Sequence, residues 1–251
     1  PYPMIATSAS YSSCTTGTPL VRGRTPAACS RAITIDRAAR NRHTCDDGGM
    51  AHLTLDEIES LAHRALTLSG ASNLQAGPTA RSMRDAEAEG LRNIGLAYLP
   101  TYCSHLRCGK VAGDAVPVVA EPTGAVVHVD AGLGFCHTAF EAALPSFTAL
   151  AHAQVIAMLA MHHSYSAGVL GWMVDLLARD GLVSLGFSNS SPLVAPWGGR
   201  TAMLGTNPLA FGAPREGRHP FVVDMATSAT AYVNIRQAAA EGRDIPLGWA
   251  V

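Results

Sequence analysis

Ala195-Pro-Trp-Gly-Gly-Arg200, Gly205-Thr-Asn-Pro-Leu-Ala-Phe-Gly-Ala-Pro214, Asp224-Met-Ala-Thr-Ser228 and Ile245-Pro-Leu-Gly-Trp249 follow one another between Gly181 and Trp249. Taken singly, each has a local explanation. Glycine reaches positive φ, proline presets φ and asparagine bonds its own backbone. Gly205-Thr-Asn-Pro208 alone is therefore a turn, and Ala195–Arg200 alone is a loop. The order and spacing of all four are the signal. Around them the apolar pattern changes in kind. Leu182–Phe187, Leu209–Phe211 and Phe221–Asp224 are expected as strands, and Val169–Ala178 as a helix.

Towards the N-terminus the same alternation continues. Val126–Asp130 and Val155–Met161 are strand-like, with Thr138–Leu150 helical between them. Thr54-Leu-Asp-Glu57 is a capping box, in which hydroxyl and carboxylate satisfy amides left free at a helix start. Ile58, Leu61, Ala62, Ala65 and Leu66 give that helix one apolar face, and Gly70 ends it. Further helices are predicted over Ala80–Glu89 and Pro100–Arg107, the proline sitting in a first turn where a missing N–H costs little. The elements do not fall in the regular order of a doubly wound sheet. No Gly-x-Gly-x-x-Gly follows a strand, and Gly132-Leu-Gly134-Phe-Cys-His137 has histidine in place of the third glycine. A Rossmann fold is thus not supported. The expected class is mixed α/β, with a helical part over 50–115 and a mixed-sheet domain over 116–251.

The chain has 251 residues, 48% hydrophobic and 15% charged, with a net charge of -1. This is a globular composition with material for a core. Nucleic acid is not an expected partner, because phosphate binding needs clustered surplus Lys and Arg. No apolar run reaches the roughly 18 residues that span a bilayer. Cys14, Cys29 and Cys45 lie in the first fifty residues, and Cys103, Cys108 and Cys136 show no framework spacing. Reduced thiols in a cytoplasmic protein are expected.

Together the four motifs resemble the malate/L-lactate dehydrogenase-like family of NAD(P)-dependent oxidoreductases. Within it the likeness is greatest to reductases of Δ1-piperideine-2-carboxylate and Δ1-pyrroline-2-carboxylate. The resemblance spans residues 50–251. It implies a non-Rossmann cofactor fold, NADP or NAD as cofactor, and a small 2-keto or cyclic 2-imino acid as substrate. It also implies a homodimer with the active site near the subunit interface. Family members continue past Trp249, so the chain is expected to be incomplete at its C-terminus. Residues 1–49 are rich in Ser, Thr, Pro, Ala and Arg without a period. They fit a targeting peptide or upstream sequence before a start at Met50. The second reading is preferred, because the likeness begins right after Met50, and disorder is expected in either case.

The resemblance also assigns roles to positions. The family's proton donor is the His of a Ser-His-Gly turn, which here reads Asn93-Ile94-Gly95. Ile94 carries no proton, and Asn93 offers only an amide. The family's carboxylate-binding Arg, one helical turn on, falls on Tyr98. Its charge-relay Asp falls on Asn234, and two substrate contacts before it fall on Tyr232 and Val233. A first cofactor segment matches Ser166, Ala167, Gly168, Val169 and Leu170, where small residues let helix N-terminal amides approach a phosphate. Many relatives begin that segment with His-Phe. A second matches Asp224, Met225 and Ala226, and Thr206 matches a substrate-contacting threonine. The implied function is reduction of a small 2-keto or 2-imino acid, with Tyr98 the candidate replacement acid. The alternative is a catalytically impaired, dinucleotide-binding relative or decayed fragment of the family.

No metal site is expected. His162-His163 lies at a strand end, where adjacent side chains point to different faces, one buried and one solvated. Cys103-Ser-His-Leu-Arg-Cys108 lacks the Cys-x-x-Cys spacing of zinc sites. Asp130 is read as a turn residue.

Overall fold

The capping box forms as the sequence requires: the Thr54 amide donates to Glu57 Oε2 at 2.8 Å, and the Glu57 amide to Thr54 Oγ1 at 3.3 Å. It opens helix α1 (Leu55–Leu68), which buries Ile58, Ala62 and Leu66. This computed structural model describes residues 4–9, 52–246 and 248–249. Helix α2 (Asn73–Ala88) starts earlier than expected, capped by Ser72, and runs through Pro78. The missing proline N–H would have bonded the Leu74 carbonyl; the Thr138 hydroxyl donates to that carbonyl at 3.4 Å. Helix α3 (Leu99–Arg107) carries proline in its first turn.

Seven strands form one sheet in the order β2-β3-β4-β1-β5-β6-β7. They are β1 (Met4–Ala9), β2 (Val118–Val119), β3 (Val126–Asp130), β4 (Ile156–His162), β5 (Val183–Ser188), β6 (Leu209–Ala213) and β7 (Phe221–Met225). The four strands β3, β4, β1 and β5 are parallel, and β2, β6 and β7 add antiparallel pairings. Helix α4 (Cys136–Gln154) lies over β3 and β4, and helix α5 (Leu170–Arg179) over β5, β6 and β7. Beneath them Val127, Val129, Leu159, Phe140, Phe147, Met173 and Leu177 form the main core. Each such side chain stabilises by about 1.5–3 kcal/mol on full burial. Gly212 lets α5 approach, since a Cβ there would overlap the Val174 carbonyl. On the opposite face Ile156, Met158 and Phe187 are exposed. Helix α6 (Tyr232–Ala240) closes the described chain. Among the described residues no helix is long and apolar enough to cross a membrane.

Strand β1 corrects one expectation. It lies within the stretch read as unstructured, yet its six residues pair in parallel with both β4 and β5. The crossover through α5 leaves β4 and β5 one strand apart, and their facing backbone groups need a partner. Residues 10–51, including the suggested start at Met50, lie outside the described residues.

The helical part is latched to the sheet by one buried side chain. Gln75 Nε2 donates to the Ala115 carbonyl at 2.7 Å, and its Oε1 accepts from the Phe135 amide at 2.8 Å. Gly134 leaves room for it, because a Cβ there would lie 2.6 Å from Gln75 Nε2. Removing both bonds strands the buried Phe135 amide, at about 1–3 kcal/mol, and the part-buried Ala115 carbonyl, at less. Gln75→Leu is therefore expected to destabilise by about 2–4 kcal/mol, read as a lower thermal midpoint in calorimetry. An unchanged midpoint would contradict this latch.

Candidate active site

Tyr98, the residue before α3, and Tyr102 and His105 on it recur at helical spacing and share a face. Tyr102 is buried, with its ring edge-on to Phe135 at 5.3 Å and Tyr165 at 6.0 Å between centroids. Its hydroxyl lies 3.4 Å from Ser166 Oγ, linking α3 to the β4–α5 turn. His105 hydrogen-bonds Tyr165. Burial lowers the His105 pKa, helped by the cations Lys110 and Arg236. Arg236, from α6, sits over the Tyr98 ring at 4.5 Å and donates to Thr101 Oγ1 at 2.9 Å. Burial raises the Tyr98 pKa, and Arg236 offsets only part of that shift. The phenol is therefore neutral at pH 7, with a cation against its ring.

The turn before α3 presents Asn93 to α6. Glu87 holds this turn by accepting from the Leu96 amide at 2.7 Å, and a Cβ on Gly95 would overlap the Glu87 carboxylate. Asn93 Nδ2 donates to Asn234 Oδ1 at 3.2 Å, and Asn234 Nδ2 donates to Thr230 Oγ1 at 2.9 Å. Ile94 packs against the main core. Asn93, Tyr98, Asn234 and Arg236 thus meet across the α3–α6 boundary, with Tyr232 close enough to bear on Tyr98 electrostatically. Val233 is buried while Tyr232 is exposed, so these neighbours do not share a face.

The β4–α5 turn alternates in hand: φ is positive at Ser166 (47°) and Gly168 (62°) and -94° at Val169. Such alternation turns amides towards one concavity, which suits an anion. A Cβ at Gly168 would lie 3.0 Å from His137 Nε2 and 3.3 Å from Tyr102 Oη, and with φ at 62° a side chain there would be strained. Val169 and Leu170 are buried in the core. One expectation needs correcting. The first amides of α5 are not free for a phosphate, because Asp224 Oδ2 accepts from Gly171 N at 2.7 Å and its carboxylate also takes the Leu170 amide. Asp224 is exposed as a residue on edge strand β7, but its carboxyl is partly desolvated where it turns against α5. Its pKa is raised, the two amides offsetting only part of that effect. The amides left for an anion are therefore those of Ser166–Gly168.

Thr206 lies beside the end of β7. Its hydroxyl lies 3.1 Å from Ser190 Oγ, and its carbonyl accepts from the Thr227 amide at 2.9 Å, one residue past Ala226. A cleft lined by Arg179, Arg215, Arg218 and His219 opens at the far end of α5 and holds none of these residues. Sequence reasoning missed Arg236, Tyr102 and His137. Tyr102 follows Tyr98 by one helical turn, a spacing that signals a shared face. Arg236 had no comparable signal, since the run Tyr-Val-Asn-Ile that opens α6 is poor in strong helix formers. The histidine pair was also misread. His162 and His163 are both partly exposed, and their rings lie 4.8 Å apart instead of diverging, because φ at His163 is 50°.

His137 lies buried under the Ser166–Gly168 turn, its ring nitrogens out of regular hydrogen-bond geometry and near the Ala167 backbone. Burial pushes its pKa down from 6.5 to about 4, the Ala167 backbone offsetting only part. The unfolded chain takes up this proton near pH 6.5 and the folded chain only near 4, so stability falls as pH drops through that window. The thermal midpoint is expected to decline between those pH values, and His137→Gln to flatten the decline. An identical pH profile in the variant would exclude His137 as its source.

The family described as malate/L-lactate dehydrogenase matches residues 53–251. The (2R)-3-sulfolactate dehydrogenase (NADP(+)) of Chromohalobacter salexigens is 40% identical over 199 residues, covering 79% of this chain and 60% of that protein. A Δ1-pyrroline-2-carboxylate reductase of Burkholderia ambifaria is 38% identical over 79% of this chain and 58% of its own length. The crystal structure of Δ1-piperideine-2-carboxylate reductase from Pseudomonas syringae pvar. tomato superposes with a TM-score of 0.75 at 38% identity. That match covers 78% of this chain and 59% of the other. The chain thus spans about three fifths of the relatives it matches.

Proposed function

Because the chain belongs to the malate/L-lactate dehydrogenase family, we propose that it reduces a small 2-keto or cyclic 2-imino acid with NADPH or NADH. The observation that carries this reading is Tyr98 beneath the Arg236 guanidinium, its ring edge-on to Tyr102, whose hydroxyl lies 3.4 Å from Ser166 Oγ. Reduction of a C=O or C=N bond next to a carboxylate needs a cation for that carboxylate and a proton donor for the oxygen or nitrogen. The resemblance puts the cation at the position held by Tyr98. Here Arg236 supplies it from α6, and the neutral Tyr98 phenol supplies the proton. Thr206 offers a hydroxyl to the substrate, and Tyr232 borders it.

The nicotinamide supplies the hydride when bound. The alternating-hand turn at Ser166, Ala167 and Gly168 fits the dinucleotide's phosphates. Asp224, Met225 and Ala226 border it through the Asp224–Gly171 bond. A cytoplasmic homodimer with its site near the subunit interface, and a helical part over 50–115 beside a cofactor domain over 116–251, belong to the same reading.

A second reading has its own support. The Asn93 and Asn234 amides pair with each other, and Ile94 is committed to the core. This favours dinucleotide binding without turnover. One set of measurements separates the two. NADPH and NADH oxidation is followed with Δ1-pyrroline-2-carboxylate, Δ1-piperideine-2-carboxylate, pyruvate, oxaloacetate and 3-sulfopyruvate, and dinucleotide binding by calorimetry. The reductase reading expects turnover, with kcat reduced about 10²- to 10⁴-fold in Tyr98→Phe and KM raised in Arg236→Ala. Unchanged turnover in Tyr98→Phe removes the tyrosine from the mechanism. Binding without turnover supports the second reading, and an Ile94→His variant that gains activity would identify the lost acid as the cause.

A further inference from the structure

We infer that Asp130, His162 and His163 form a binding site for a divalent transition metal of the zinc type, at the C-terminal ends of β3 and β4. The parallel register places Asp130 beside His162, each the last residue of its strand. On a continuing strand His163 would point to the opposite face. Its φ of 50° turns the chain out of the strand and swings its ring back towards His162. A non-glycine residue in this region is uncommon and persists where its surroundings enforce it. Two backbone bonds do so here: the Ala131 amide donates to the His162 carbonyl at 3.0 Å, and the Leu133 amide to the His163 carbonyl at 2.7 Å.

The donor atoms converge. The Gly132 amide donates to Asp130 Oδ1 at 2.8 Å and orients the carboxylate. Oδ2 then lies 3.4 Å from His162 Nε2 and 3.1 Å from His163 Nδ1. One ligand atom from each of the three residues falls within 4.8 Å of the others. Zn–N and Zn–O bonds of about 2.0–2.2 Å in tetrahedral geometry require ligand atoms roughly 3.4 Å apart, close to both measured edges. Two imidazoles with one carboxylate favour zinc, cobalt, nickel or ferrous iron over magnesium or calcium, which prefer all-oxygen sets. Three protein ligands leave a fourth position for water or a small anion. None of the three belongs to the candidate active site, so this inference does not depend on the proposed activity. A bound ion would tie the β3–α4 loop to the β4–α5 loop, which carries Ser166–Gly168.

The test is titration of the metal-free chain with Zn²⁺ and Co²⁺. Calorimetry should give one saturable site, and Co²⁺ the intense visible bands of four- or five-coordinate geometry. Asp130→Ala, His162→Ala and His163→Ala should each weaken Zn²⁺ binding at least about tenfold, whereas His219→Ala should leave it unchanged. Zn²⁺ should raise the thermal midpoint of the parent and of His219→Ala, but not of the three site variants. Should a variant fail to fold, the Co²⁺-loaded parent should still show hyperfine-shifted ring N–H signals from two histidines. Absence of stoichiometric binding would overturn the site and leave an Asp–His ion pair only. So would six-coordinate Co²⁺ bands alone, or undiminished affinity in the three variants.

Discussion

The constraint on which the rest depends is the backbone seam between the loops that leave β3 and β4. Four amide–carbonyl bonds sew it: Ala131 to His162, Leu133 to His163, Tyr165 to Gly134 and Cys136 to Tyr165. They carry the parallel pairing of β3 and β4 beyond the strand ends and into the first turn of α4. Because backbone groups make the seam, it tolerates wide variation in side chains. What it positions is specific. Phe135 and Tyr165 are brought against Tyr102, His137 is placed beneath Gly168, and Asp130 is held beside the two histidines. Gln75 then reads the seam from the helical side, by accepting the Phe135 amide.

Above the seam the candidate site is built from side chains that meet across elements. A tyrosine stands where the family resemblance puts an arginine, and an arginine from α6 lies against that tyrosine. An amide stands where the resemblance puts a carboxylate, and it meets another amide across the same boundary. The candidate site therefore holds a cation but no ionised acid–base pair at these positions. Its candidate proton is on a phenol that burial keeps neutral. Asp224 shows the same economy elsewhere. Its carboxylate takes amides at the start of α5, where a helix favours negative charge, and so uses a potential anion site internally.

Elements with a local cause were legible in the chain. The capping box of α1, Pro100 at the start of α3 and the alternating strands near β4–β7 all rest on interactions within a few residues. Element ends misjudged from the sequence have non-local causes. The start of α2 was hidden by Gly77 and Pro78, because the hydroxyl that meets the freed carbonyl comes from Thr138 on α4. Strand β1 carries no pattern of its own that distinguishes it from its surroundings; its place follows from the gap between β4 and β5. His162 and His163 were read by strand periodicity, and one left-handed residue inverted the result.

What the chain alone determined is its family and its mixed α/β class. These are properties of residue order, carried by motifs whose turns form from adjacent groups. Tertiary structure alone decided which distant side chains meet: Arg236 against Tyr98, Asn93 against Asn234, Asp224 on the amides of α5, and Asp130 between two histidines. Each of these pairs joins residues more than thirty positions apart. A side chain's partner at that separation is set by packing and register, and no local periodicity reports it.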